Sequence, residues 1–576
     1  MKINSATTTS GVSRHWRACL IWAILASFQA FGGTWVPLAN LEVNATRGLG
    51  PMLLLSDGTV AAQYFGGTKW CKLTPDNHGS YINGAWSEIA SMNGGNRQYH
   101  SSAVLRDGRL MVAGGELGPG WSSLEVYDPL ADSWSFANIP PGVITGNNVI
   151  NSAGDNTAGF SDSGCIMLAD GTVMIAAVFP ATNNATVIFD PVSNTCSRGP
   201  ITLQSQNEAT WVKLPDDSIL SVDKSSTTSE RYIPALKQWI PDASLKAPIY
   251  SATGSELGAG FMLPDGRAFF LGGNGNTAYY TPTGNTNQGT WTQGPTMPNG
   301  MSARDTPAAM MPNGKILCAL TPGTNAVGTD TPVFFYEFNY LVNAFTMIGS
   351  PQNSSPGSSD PNNISDYFSM LALPDGNILF SDAAFSSSGS QLYIYQPDCC
   401  PVAVGKPAIT SVTVNGNGAY HLTGTRLNGF SQGAVYGDDN QMDSNYPLVR
   451  TTDASGNTFY GRTYNWSSTG VQTGNAQVST EFFVGLDPGT YSLQVVANGI
   501  ASDPVTFFGQ VWVDFNYTGS IQDGRILSPY KTLASGVSAA PVNGVVAIKS
   551  GLSHETPVLS KPMSLIAVGG AATIGR

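Results

Sequence analysis

The chain has 576 residues, of which only 11% are charged, with 27 basic against 39 acidic side chains and a net charge of −12. That length exceeds one compact domain, so about three to five are expected, and 65 glycines with 36 prolines describe a turn-rich chain short of low complexity. Hydrophobic residues at 41% and aromatics at 10% exclude general disorder, and the lack of a basic face excludes nucleic acid as a partner.

At the N-terminus, Arg14, His15 and Arg17 precede an apolar run from Ala18 to Phe28, followed by the small residues Ala30, Gly32 and Gly33. This is the layout of a secretory signal peptide, expected over residues 1–32. The apolar run is about half the roughly 20 residues of a spanning helix. No transmembrane segment is therefore expected after cleavage, and the mature chain is expected to be secreted or at the cell surface. Cys71, Cys165, Cys196, Cys318, Cys399 and Cys400 remain after Cys19 is removed with the signal. Their even number and an oxidising destination predict disulfides. No Cys-x-x-Cys exists and there are only five histidines, so no structural zinc site is expected.

From residue 53 a pattern recurs, in which an apolar strand, a tight polar turn and a second apolar strand follow one another. It reads LLLSDGTVAAQ at Asp57, VLRDGRLMVAGG at Asp107, IMLADGTVMIAA at Asp170 and VKLPDDSILSV at Asp216. It continues as FMLPDGRAFFLGG at Asp265, AMMPNGKILCAL at Asn313 and LALPDGNILFSD at Asp375. The Asp-Gly and Asn-Gly pairs predict type I′ hairpin turns. Aromatic strands ending near a proline follow, such as EVYDP, VIFDP, RYIP, YYTP and YIYQP, and then Trp strands at Trp86, Trp134, Trp239 and Trp291. Four antiparallel strands per repeat make one propeller blade.

These residues resemble the kelch repeat, and RQYHSSAVLRDGRLMVAGG (97–115) most resembles the galactose oxidase-like superfamily. The resemblance implies a seven-bladed kelch-type β-propeller over 34–404. The seventh repeat lacks a Trp strand of its own, so TWVPLAN in 34–41 is expected to close the last blade. Residues 405–508 change texture, and Asp487, Gly489 and Tyr491 have the spacing of a tyrosine corner, predicting an immunoglobulin-like β-sandwich. Asp438, Asp439 and Asp443 within it offer either a calcium site or a solvated turn. Residues 509–576 resemble the entry cap and first coil of a pectate-lyase-type right-handed β-helix. Such a fold needs about three stacked coils, so this tail is expected to dock elsewhere, pair with another chain, or belong to a shortened gene product. The fold class is all-β throughout.

Propellers carry function at one mouth of the channel, where the innermost strands begin. Counting back eight or nine residues from each turn gathers Gln98 and Tyr99, Ser161 and Asp162, Asn207 and Glu208, Glu256, Arg304 and Asp305, and Asp366 with Tyr367. A binding site or a solvated rim would both give this pattern. The family resemblance implies a copper-radical oxidase, with Tyr99 as the cross-linked tyrosine and Tyr367 as the axial one. Here the pattern departs from the family: Phe368 stands where a histidine should follow Tyr367, no cysteine precedes Tyr99 in GPMLLLSDG, and the sandwich offers only His421. No cofactor is therefore expected, copper included. The expected function is non-catalytic recognition of extracellular carbohydrate or protein ligands. Tyr99, Asp162, Glu208, Glu256, Arg304, Asp305, Asp366 and Tyr367 would form the ligand site. The alternative is a divergent galactose oxidase-like copper oxidase or another carbohydrate-active enzyme.

Overall fold

The computed structural model describes residues 32–575 except 42–47, 117, 119–121, 145–158, 161–163, 178–181, 183, 208, 253–255, 324–330, 361–363, 384–390 and 437–439. The protein is all-β: among the described residues the one α-helix is Leu533–Ala539.

The repeated turn organises the fold. At each of the seven positions the side chain of the Asp or Asn accepts the backbone N–H two residues on, at 3.0–3.2 Å. The turn itself differs from the type I′ expectation. Gly58 N donates to Leu55 O and Leu55 N to Thr59 O, with positive φ confined to Gly58 and its counterparts (78° at Gly58, 91° at Gly376) and to Asp217 at 61°. This is a type I turn followed by one left-handed residue. The aspartate is held in an ordinary conformation because its carboxylate caps the next strand.

Six separate four-stranded antiparallel sheets result. Five are built from consecutive strands, beginning at Leu49–Leu54, Ser101–Val104, Cys165–Met167, Trp211–Lys213 and Gly260–Met262. In the other, Thr34–Pro37 pairs antiparallel with Tyr393–Gln396, beyond Ile378–Asp382 and Phe368–Ala372. Four of the five Trp strands share one solution, Trp86 instead lying opposite Leu73. Trp134, Trp239, Trp291 and Trp35 lie directly opposite Tyr127, Tyr232, Tyr280 and Tyr395, with ring centroids 4.7–5.8 Å apart. Cross-strand aromatic pairs of this kind pin register.

The repeat at Asn313 departs from the seven equal blades expected. Its strands Pro307–Met310, Ile316–Pro322, Val333–Asn339 and Ala344–Met347 belong to an eight-stranded sheet. A hairpin from much later in the chain, Gly433–Tyr436 and Asn440–Asp443, joins beside Pro307–Met310. Six four-stranded blades and one enlarged sheet thus stand in place of seven.

Beyond residue 405, eight strands form one curled sheet in the order Ala408–Val414, Tyr420–Thr425, Gln477–Phe483, Thr458–Tyr464, Leu448–Thr452, Thr490–Ala497 and Ile500–Ala501, with Val505–Phe508 off that path. The Tyr491 hydroxyl donates to the Asp487 carbonyl at 3.1 Å. Three parallel strands follow, Val511–Val513, Val545–Ser553 and Ser564–Ile574. The helix between the first two of them is capped by Thr532, and the Glu555 carboxylate accepts from its first N–H groups.

The expected disulfides are not formed among the described residues. Cys71, Cys165, Cys196 and Cys318 pack as small apolar groups in the cores of the sheets, and only Cys399 and Cys400 are exposed. Among the described residues no helix is long and apolar enough to cross a membrane. Residues 1–31 of the expected signal segment lie outside the described residues.

Candidate functional site

The first strands of successive repeats lie side by side around a channel, so residues just before them share one end of it. Tyr99 and Asp305 both sit eight residues before their turns, and both adopt left-handed backbone, at φ 50° and 46°. Such a conformation costs a non-glycine residue on the order of 1 kcal/mol or more and concentrates at functional positions.

What surrounds Tyr99 is rigid. Arg97 and Glu125, both fully buried, pair through Nη2 and Oε1, and Glu125 also accepts the N–H groups of Asn93 and Gly94. Gln63 Nε2 donates to Arg97 O at 2.7 Å, and its Oε1 meets His100 Nε2 at 2.8 Å. Burial drives the His100 pKa down to about 3, so the ring is neutral. Between these fixed neighbours the Tyr99 ring stands half-buried.

Phe65 joins Tyr99 to Tyr367. Its ring meets Tyr99 edge-on at 5.9 Å and Tyr367 edge-on at 5.3 Å. Three repeats thus contribute one aromatic wall, and Phe65 is the member that reading the strand starts missed, because it follows a second strand. Asp366 and Tyr367 occupy a 3-10 turn, Ser365–Tyr367, leading into Phe368–Ala372. Burial, and then the neighbouring Asp366, raises the Tyr367 pKa.

On the other side Arg304, 3% exposed, pairs with Glu256 at 3.5 Å, and Asp305 N donates to Leu257 O at 3.4 Å. The structure therefore brings the candidates together in two groups, Tyr99 with Tyr367 and Glu256 with Arg304 and Asp305. Asn207 accepts from Lys224 Nζ, and Gln98 bridges to Glu116. Ser161, Asp162 and Glu208 lie outside the described residues.

The hairpin of the enlarged sheet fills the channel. Its strands lie beside the first strands of five repeats. Pro307 stands opposite Tyr436 and Ala309 opposite Ala434, so Tyr436 lies beside the strand that follows Arg304 and Asp305. Residues 437–439, with Asp438 and Asp439, lie outside the described residues. At its base, Asp443 is half-buried, and burial pushes its carboxyl up to about 7 against the opposing pull of Lys213 and Gln432. Lys213 Nζ donates to Met167 O, to Thr469 O at 2.8 Å and to Thr469 Oγ1. A buried ammonium therefore stands beside Asp443.

Copper does not fit the donors present. His100 Nε2 meets Gln63 Oε1 and the ring packs beside Trp70, Phe65 stands between the two tyrosines, and Cys165 Sγ meets Ser102 O at 3.3 Å. Among the described residues no three His, Cys, Asp or Glu side chains cluster as metal ligands.

No protein-family model matches the chain, and no curated protein does. Among solved structures it is similar to a fungal alcohol oxidase of the AA5 family in complex with copper, at 14% identity, over 83% of this chain and 99% of that one, with a TM-score of 0.47. It is also similar to a streptogramin B lyase, at 11% identity over 64% and 98% with a TM-score of 0.41. A third is YjhT, at 13% identity over 54% and 98% with a TM-score of 0.35.

Proposed function

We propose that this is an exported recognition protein that binds a neutral glycan at the channel mouth without catalysing a reaction on it. The observation that supports this most is the aromatic wall, in which Tyr99 and Tyr367 flank Phe65 from three repeats. Sugar rings are held by stacking surfaces combined with polar groups, and Glu256, Arg304 and Asp305 supply the polar side. In this reading the sheets over 34–404 are a kelch-type seven-bladed ring, with the Asn313 repeat as the blade enlarged by the hairpin. Residues 405–508 are an immunoglobulin-like unit, with Tyr491 as its corner tyrosine. Residues 509–576 begin a β-helix, as the parallel register of their strands suggests. Residues 1–32 are a cleaved signal directing the chain outside the cell.

A glycan array probed with the mature protein tests the function. Binding to defined glycans, weakened about tenfold or more (about 1.4 kcal/mol) in both Tyr99→Ala and Tyr367→Ala with unchanged melting, is the expected result. Binding to no glycan would redirect the reading to a protein ligand. Stoichiometric copper in the purified protein would overturn it in favour of an oxidase.

A further inference from the structure

The tail joins the curled sheet across a second concavity, far along the chain from the channel mouth. Trp512, in the first parallel strand, lays its ring edge against Gly418: a Cβ there would come within 2.7 Å of Trp512 Cη2, and the backbone φ is +85°. Only glycine lets the indole lie this close to the sheet. Between them opens a cavity of about 240 Å³ with Tyr420, Leu486, Asp487, Gln510, Trp512 and Arg525 on its walls.

Gln510 is the informative residue. It is 5% exposed and gives its Nε2 to Gly418 O at 2.9 Å, while its Oε1 has no hydrogen-bond donor. A buried acceptor left unmade is costly, and a leucine of similar size would avoid that cost. At the rim, Arg525 Nη2 meets Asp487 Oδ2 at 2.7 Å, with the two side chains 54% and 57% exposed. Arg525 also meets Asp523 Oδ2 at 3.6 Å, so the rim disfavours an anion and presents both donors and acceptors. The volume corresponds to about eight waters at roughly 30 Å³ each, close to the small end of ligand pockets.

We propose that this cavity binds a single neutral sugar ring or a comparable small cyclic polyol. One apolar ring face rests on the Trp512 and Tyr420 side, one hydroxyl donates to Gln510 Oε1, and others meet the Asp487–Arg525 pair. This site is separate from the channel mouth and does not depend on its function.

Titration of the mature chain with a panel of free monosaccharides, followed by saturation-transfer NMR and calorimetry, tests it. Gly485 lines the cavity, and a side chain added there meets nothing within 4 Å, so Gly485→Trp fills the space without disturbing the fold. At least one sugar is expected to bind with Kd of about 1 mM. Gly485→Trp and Arg525→Ala should each weaken it about tenfold or more, with Tyr99→Ala leaving it unchanged. The proposal is overturned if no sugar binds, if flat aromatic compounds bind and sugars do not, or if Tyr99→Ala abolishes binding while Gly485→Trp leaves it intact.

Discussion

Single buried side chains set the chemistry of the sheets. Arg97 and Glu125 are both completely enclosed, so removing one partner strands the other charge. Glu125→Leu should lower stability by about 3–5 kcal/mol, read from denaturant unfolding. Glu230 illustrates the opposite case, an acid enclosed without a cation. It accepts from Leu203 N and Gln206 Nε2, and burial raises its pKa from 4.5 to about 7. The folded state therefore holds a proton that the unfolded chain releases, so stability is fully present below about pH 4.5 and declines as pH rises through 7. Glu230→Gln should gain relative to wild type by up to about 3 kcal/mol between pH 5 and pH 8. Equal differences at both pH values would refute this. None of these carboxylates could be read as buried from sequence, because a lone Glu in a strand looks the same facing water or core.

Among the elements, the strand that completes the last four-stranded sheet carries a disproportionate share of the packing. Trp35 is 8% exposed, donates Nε1 to Gly349 O at 2.8 Å, and meets Phe335 and Phe380 edge-on. Trp35→Ala should destabilise by about 3–5 kcal/mol, visible as a lower thermal midpoint. The hairpins were legible because Asp-Gly between two apolar runs has few other uses; the turn type was not. The choice between two positive φ angles and one depends on whether the Asp carboxylate caps the following strand, which a dipeptide does not reveal. The hairpin at 433–443 was illegible for another reason. GDDNQMD is polar enough to read as a surface turn, and only the pairing of Ala434 and Val435 with a strand over a hundred residues earlier shows that it is interior.

At the scale of the whole molecule, that hairpin makes the channel and the later sheet mutually dependent. Gln432, Gln441 and Lys213 knit the hairpin base to Trp211–Lys213, and Lys213 faces Asp443. Lys213→Met leaves the acid alone and should expose 433–443 to limited proteolysis, increasingly above pH 7, where Asp443 loses its proton. Replacing both, as Lys213→Met with Asp443→Leu, should restore protection. Protection unchanged in the single variant would show the pair to be dispensable. The strand starts that carry the candidate site were legible from the fifty-residue beat. The aromatic bridge was not, since Phe65 belongs to a different position in its repeat.

The pairing of Thr34–Pro37 with Tyr393–Gln396 also has a consequence in time. The strand at 34–37 finds its partner only after more than 350 further residues have been made, and at about 5–20 residues per second that is roughly 20–70 seconds. Closing so long a loop adds little entropy beyond a short one, since each doubling costs only about 0.6 kcal/mol. The delay is kinetic. Through that interval the open flank of every completed sheet is available to neighbouring nascent chains, so slowed synthesis should produce aggregates before it produces any loss of stability in the finished protein.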